Sequence, residues 1–306
     1  MSGLILVSAR YKKKYSHDRY KIFFQKLSTE LGFKLFYTDR IDVPKDVDTI
    51  IVGLQRLYTN SLMELADINK KVKIIGILGD PHSLDKIPGN DIKMFNRYDT
   101  ILGFNDSFFR QKYPQYAEKF IFFPQFFAPY DRFTKFKINN SPINKCLLSG
   151  NLKPRWTYPF RNYINDNRNP KQIITLPYPG TFLKKMKGKN KNNYYIGDRY
   201  SKKIHDYFCS IVVSGFKGGV IAKFVEIPAV GTLMLCNEAL DLKQMGFIAN
   251  EHYIPINEKN VFNKVTKCLR NPKKYIGIRK AGMKLVRENH NINNRIETIK
   301  EIVEKL

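Results

Sequence analysis

Short apolar runs alternate along this chain with longer segments whose apolar residues recur every three to four positions. The runs at 4–7, 33–37, 49–53, 72–78, 100–103 and 120–123 have almost no polar interruption. Continuous apolar runs of this length read as strands buried on both faces. Between them, Tyr20, Phe23, Phe24, Leu27 and Leu31 stand at helical spacing within 17–31, and Gly32 ends that helix. Residues 57–66 and 105–119 read as further helices, the second interrupted near Pro114. Strand and helix alternating through short links predict an α/β domain, a parallel sheet covered on both faces.

The alternation restarts after 129–144, PYDRFTKFKINNSPIN, a polar stretch with two prolines and three asparagines that reads as a link. Beyond it come a strand at 145–149, a helix at 157–166 and a strand at 172–175. A short helix at 204–208, strands at 211–213 and 232–236 and a helix at 259–269 follow, and from Pro272 the chain is helical with a kink near His290. A length of 306 residues suits two such domains of about 150 each. The expected division is an N-terminal domain at 1–140, a second at 141–275, and C-terminal helices at 276–306.

One stretch carries most of the candidate chemistry: VSGFKGGVIAKFVEIPAVGTLMLCN, residues 213–237. A strand leads into the turn Ser214-Gly215-Phe216-Lys217-Gly218-Gly219. An amphipathic helical segment with Lys223 and Glu226 follows, closed by Pro228 and Gly231, and then a second strand. A glycine turn opening a helix in an α/β unit presents backbone N–H groups to an anion. The same glycines also suit a plain crossover that needs only a tight turn.

Lys223-Phe224-Val225-Glu226-Ile227-Pro228-Ala229-Val230-Gly231-Thr232 resembles the "(R/K)-x-x-E-(I/A)-x-A-x-G" signature of GT-B glycosyltransferases, in particular the group-1-like branch with the spore-coat maturation (CgeB-like) proteins. Gly246-Phe247, His252-Tyr253-Ile254-Pro255-Ile256 and the series Arg279, Gly282, His290 and Arg295 extend the likeness, which spans roughly 145–295. In the first half, Tyr98–Gly103 and Phe122–Phe126 resemble the acceptor-side domain of the group. Gly79-Asp80-Pro81-His82 stands where relatives carry a short acidic "D-x-P" segment. The resemblance implies GT-B architecture: two Rossmann-like parallel-sheet domains facing across a cleft, the second holding the nucleotide of an activated sugar. The last helix, around 291–304, would cross back to the first domain.

Composition narrows the partners. The chain has 53 Lys plus Arg against 27 Asp plus Glu, a formal charge of +26. Such a charge suits an anionic partner: a nucleotide diphosphate, an acidic membrane surface or a nucleic acid. Richness in Lys, Asn, Ile and Tyr also fits an AT-rich genome, so part of the charge carries no functional message. Five lysines within 184–191 read as a solvated loop, with a flap or surface anchor as the other options. Cys146, Cys209, Cys236 and Cys268 lack metal-ligand spacing and read as free, mostly buried thiols of a reducing compartment. The start, MSGLILVSAR, has too short an apolar run for a signal peptide, and no stretch approaches the length of a membrane helix. The expected setting is cytoplasmic, with at most peripheral contact with an anionic membrane.

A leaving nucleotide diphosphate needs N–H donors and cations. Gly218 and Gly219, at the start of the focal helix, with Ser214 and Gly150, are the candidates for the first role. Lys217, Lys153, Arg155 and Lys223 are the candidates for the second, Arg155 favoured for its fork. Lys223 reaches the diphosphate or pairs with Glu226. The resemblance gives Glu226 the ribose diol. Many retaining relatives carry another glutamate eight positions earlier, where this chain has Gly218, so retaining stereochemistry does not carry over. A base for the acceptor hydroxyl is expected from the first domain, Asp80 favoured over His82 and His17. No Asp-x-Asp stands at a strand end, and no obligatory metal is expected.

These observations predict a glycosyltransferase that takes a UDP- or GDP-sugar and a hydroxyl acceptor on a glycan, lipid or protein. The alternative is a noncatalytic GT-B-like or nucleic-acid-binding protein. Dispersed lysines and the lack of a zinc-finger, RRM or helix-turn-helix signature make a specific nucleic acid an unexpected partner. An epimerase of GT-B shape is a further rival, set aside because it needs several acidic groups in the cleft.

Overall fold

The computed structural model describes residues 2–8, 19–38, 46–53, 68–79, 95–125, 130–153, 155–178, 194–215 and 218–306. The chain divides into two compact units. One comprises Met1–Lys13, Asp18–Gln125 and Asn293–Leu306; the other comprises Lys14–His17 and Phe126–Ile292.

In the first unit six strands, β1 (Gly3–Val7), β2 (Lys34–Tyr37), β3 (Thr49–Gly53), β4 (Lys73–Ile77), β5 (Thr100–Gly103) and β6 (Phe120–Phe122), form one parallel sheet. Their order is β2-β1-β3-β4-β5-β6. Every residue of β3 and β5 is buried, as their unbroken apolar sequences require. On one face Leu4, Leu6, Ile50, Val52, Ile74 and Ile101 pack with Phe95, Phe109 and Phe120. Helix α1 (Arg19–Leu31) buries Phe23, Phe24 and Leu27. Gly53 lets the Phe24 ring approach the sheet, since a Cβ there would lie 2.4 Å from it. The helix expected at 105–119 splits at Pro114 into α2 (Asp106–Lys112) and a 3-10 turn, Pro114–Lys119. The expected helix at 57–66 lies outside the described residues.

The second unit repeats the plan. Strands β7 (Ile143–Ser149), β8 (Ile173–Leu176), β9 (Tyr207–Val212), β10 (Leu233–Cys236) and β11 (Ile254–Pro255) form a parallel sheet in the order β11-β10-β9-β7-β8. Its helices are α3 (Tyr130–Phe133), α4 (Pro159–Asn167), α5 (Asp198–His205), α6 (Lys223–Ala229), α7 (Val261–Arg270) and α8 (Ile276–Asn289). The short helix expected at 204–208 is instead the end of α5 and the start of β9. Tyr207, Phe208 and Cys209 are apolar at successive positions and all buried, which suits a central strand rather than a helix face. All four cysteines are free and buried. Among the described residues no helix is long and apolar enough to cross a membrane.

Helix α6 is not amphipathic as expected. Phe224 through Ala229 are all buried, Glu226 included, and only Lys223 is half-exposed. A helix apolar nearly all round is an internal one. Its last carbonyls are taken up by three side chains. Arg287 Nε donates to Ala229 O at 3.0 Å, His205 Nδ1 to Val230 O at 2.9 Å, and Arg279 Nε to Gly231 O at 2.8 Å. Gly231, at φ +76°, turns the chain out of the helix. The two arginines come from α8, which a second glycine seats closely: a Cβ on Gly282 would lie 2.7 Å from His252 O. Gly282→Ala is therefore expected to lower stability by roughly 1–3 kcal/mol despite alanine's better helix propensity, because a backbone carbonyl cannot swing aside. Chemical denaturation of the two proteins measures this. At the kink, His290 stacks on Phe247 and its Nε2 lies 2.7 Å from Met245 O. Helix α9 (Ile292–Glu304) follows, grouped with the first unit from Asn293 onward.

Candidate functional site

In an open parallel sheet, ligands bind beyond the carboxyl ends of the strands where the strand order reverses. In the second unit that reversal lies between β7 and β9, because β8 is added on one side of β7 and β9 on the other. The segments leaving these two strands begin with Gly150-Asn151 and Val213-Ser214.

One side chain joins both segments. Arg161, on α4, donates from Nη1 to Asn151 O at 2.9 Å and from Nη2 to Val213 O at 3.0 Å. It is 2 % exposed, and its guanidinium carbon lies 4.0 Å from the centre of the Tyr158 ring. Burial pushes this group down from its ordinary value, opposed by Tyr158 and, more weakly, by Tyr200 and Tyr178. The Tyr200 hydroxyl sits 3.3 Å from Ser149 Oγ at the end of β7.

Lys223, the first residue of α6, reaches the same place. A Cβ built on Gly150 would lie 2.8 Å from Lys223 Nζ and 2.9 Å from Arg161 Nη1. Gly150 also has φ +125°, which L side chains rarely adopt. Backbone geometry thus demands glycine, and two cationic side-chain ends lie beside the space it leaves open. Lys223 Nζ thus lies beside the end of β7.

The glycine turn after β9 is tied to the segment after β10. Ser214 N–H donates to Asn237 Oδ1 at 2.9 Å, and Asn237 Nδ2 donates to Ser214 Oγ at 2.7 Å. Gly218 N–H closes on Gly215 O at 2.9 Å, and Leu240 N–H donates to Gly218 O at 3.0 Å. Gly218 has φ +72°, so it cannot open a right-handed helix. Gly218 and Gly219 therefore do not start the helix, which begins at Lys223. At this φ any side chain at 218 would be strained, and its Cβ would lie 3.3 Å from Leu240 Cγ. Glu226 sits on α6, 4 % exposed.

The other expected residues fall elsewhere. Arg155 is exposed and paired with Asp166, which holds the guanidinium above its ordinary value and the carboxyl below its own. Lys153 is exposed, its N–H bound to Asn151 Oδ1 at 3.0 Å. Lys217, Asp80, His82 and His17 lie outside the described residues. Two residues escaped the sequence reading, Arg161 and Asn237. Neither has a local signal, since each acts on backbone some 50 or 23 positions away. Among the described residues no group of three or more His, Cys, Asp or Glu is placed to hold a metal ion.

Comparison with known proteins bears on the fold. Residues 194–301 match the family model described as glycosyl transferase-like. A search of curated proteins finds no match. Among solved structures, an alpha-glucosyltransferase in complex with UDP aligns with TM-score 0.65 at 12% identity, covering 99% of this chain and 100% of that one. The Anabaena HepE protein in complex with UDP-glucose aligns at 0.62 and 12%, covering 100% of both chains. An alpha-glucosyltransferase with UDP and a 13-mer DNA containing a central A:G mismatch aligns at 0.65 and 10%, covering 99% and 100%.

That complex corrects one expectation. A specific nucleic acid had been set aside because no dedicated binding module is present. Alpha-glucosyltransferases of similar fold are seen in complex with UDP and a 13-mer DNA, so the lack of such a module does not make a nucleic acid an unexpected partner. With two parallel-sheet units of the same strand plan and this likeness along nearly its whole length, the chain has the GT-B fold.

Proposed function

We propose that this protein is a glycosyltransferase that moves a sugar from a UDP- or GDP-activated donor to a hydroxyl group. The observation that carries the reading is the convergence of Arg161 and Lys223 beside Gly150 at the second unit's switch point. Two cations held together repel each other, and a diphosphate between them turns that repulsion into attraction. As the donor bond breaks, charge grows on the leaving diphosphate, where fixed cations and N–H donors stabilise it most. The turn from Ser214 to Gly219, with Lys217, supplies further donors, and Glu226 accepts from the ribose diol. Lys153 and Arg155 stand on the exposed rim. Asp80, His82 and His17 are the bases to test, on the segments after β4 and β1. The reading needs no metal, because side-chain cations take the role of counter-charge. The CgeB-like branch is the finer placement, resting on residues 223–232 and the segments after them. Four buried free thiols suit a cytoplasmic setting.

The acceptor is a hydroxyl on a glycan, lipid, protein or nucleic acid. The +26 charge and the DNA-bound neighbours favour including the last. A thermal-shift screen tests the donor. At one hundred times its Kd a nucleotide adds about 2.7 kcal/mol, a rise of several degrees for a domain of this size. UDP or GDP is expected to give it, and donor cleavage follows as release of the same nucleotide from its sugar. No shift with any nucleotide and no release from any donor would overturn the reading. Binding to DNA, measured against salt, is expected to weaken linearly in log–log form if DNA is the acceptor.

A further inference from the structure

We propose that the edge of the second unit formed by the amino ends of β7 and β8 and the carboxyl end of α7 is a docking surface for a membrane rich in anionic lipids. The inference does not rest on the donor reading, since it concerns the opposite end of the same strands. Two side-chain bonds fix where α7 ends. Asn144 Nδ2, at the start of β7, donates to Leu269 O at 2.8 Å, and Thr266 Oγ1 donates to Gln172 Oε1, just before β8, at 3.2 Å. These bonds gather Ile143, Lys171, Lys267 and Arg270 at one edge. The 3-10 turn Pro272–Tyr275 adds Lys273 and Lys274 directly after α7. All six residues are exposed, Ile143 by 46 %.

The fold itself does not call for so much positive charge here. The negative end of α7 favours cations in its last turn, which accounts for Lys267 and Arg270 but not for Lys171, Lys273 and Lys274. The segments that build the edge, 141–149, 168–175 and 259–287, contain no Asp or Glu. Asp206, whose carbonyl accepts from Ile143 N–H at 2.8 Å, has its carboxylate 3.0 Å from Lys202 Nζ. Like charges crowded together repel, and an anionic layer laid against them turns that repulsion into attraction. Two features favour lipid over nucleic acid. The cations other than Arg270 are lysines, point charges that suit a diffuse field of headgroups, whereas a phosphodiester or a base edge is matched better by the arginine fork. Ile143 stands exposed among them, and an apolar side chain gains by entering the boundary between headgroups and acyl chains. The switch point lies beyond the carboxyl ends of the strands, so docking by this edge leaves it clear of the lipid.

The test is partition of the full chain onto phosphatidylcholine vesicles with and without phosphatidylserine, at physiological ionic strength. The native chain is expected to bind the anionic vesicles and not the neutral ones. Changing Lys267, Arg270, Lys273 and Lys274 together to glutamine is expected to weaken that binding roughly a hundred- to a thousandfold. The same loss of charge among exposed lysines of the first unit, Lys21, Lys34, Lys70 and Lys71 to glutamine, is expected to leave it within about threefold, since charges beyond the screening length contribute little. Ile143→Ser is expected to weaken it roughly three- to tenfold. Tm and UDP affinity are expected to hold in every variant. If the four-site edge variant loses Tm, Lys273→Gln with Lys274→Gln, outside the helix, carries the test with a loss of about tenfold or more. The inference is overturned if the native chain ignores phosphatidylserine, if the first-unit variant loses as much as the edge variant, or if Ile143→Ser changes nothing while the edge variant loses duplex DNA as strongly as vesicles. That last result would make the edge a nucleic-acid surface. Vesicle and UDP binding are separate readouts, so the docking surface and the donor site can each fail without the other.

Discussion

Replacing Glu226 by glutamine is expected to lower kcat/KM for the nucleotide sugar by roughly thirty- to a hundredfold without unfolding the protein. The side chain is 4 % exposed on a helix whose neighbours Val225 and Ile227 are fully buried. Glutamine matches its size, so the packing of α6 survives the exchange. What changes is the acceptor. A carboxylate takes two hydroxyl donors as charge-assisted bonds, each about 1.5–3 kcal/mol, against about 0.5–1.5 kcal/mol for a neutral amide, which also turns one of its ends into a donor. A loss of about 2–3 kcal/mol over the pair corresponds to the stated factor. Steady-state kinetics with UDP- and GDP-sugars, read beside thermal unfolding, checks this. Undiminished turnover in Glu226→Gln would remove the ribose from this residue, whatever became of the diphosphate site.

Replacing Arg161 by methionine has the larger structural effect. Methionine fills much of the same volume but leaves Asn151 O and Val213 O without their donor. A buried acceptor such as Val213 O left unpaired costs about 1–3 kcal/mol, and the part-buried Asn151 O adds less, since water can reach it. Because the lost bonds fasten the two segments at the switch point, the damage is expected there first. Nucleotide binding should disappear at temperatures where the second unit is still folded. Arg161→Lys retains the charge but not the fork, and one ammonium cannot serve both carbonyls at the original separation. It is expected to recover pyrophosphate binding in part and stability little. Native-like Tm and UDP affinity in Arg161→Met would show that neither the clamp nor the charge matters.

Much of the architecture was legible along the chain because its cause is local. A strand buried on both faces has to be apolar at every position, and β3 and β5 coincide with the runs at 49–53 and 100–103. Glycine marks backbone that no other residue can follow, which is why Gly150, Gly218 and Gly231 stood out and all have positive φ. The break expected near His290 is there too, between Asn289 and Ile292. Helix α6 was misread for an instructive reason. Two charges three positions apart suggested a solvated face, yet Lys223 extends toward the end of β7 and Glu226 is enclosed. Apolar residues at nearly every other position of that helix were the signal to weigh instead.

The residues that complete the site follow a different logic. Arg155 and Arg161 lie six positions apart and look equally able to hold a phosphate, but one is spent on Asp166 at the surface and the other is buried between two strand ends. Asn237 looks like any polar residue after a strand until β9 lies beside it. The amino-acid order alone set the α/β class, the two-unit plan, the glycine turn and the motif around Glu226, since each arises from neighbours along the backbone. Which side chains lie beside the end of β7 and which amide ties Ser214 were decided only by the tertiary structure. Those choices depend on the sequence in which strands join the sheet, and that ordering brings together groups up to some 70 residues apart through long-range burial that no short window of the chain encodes.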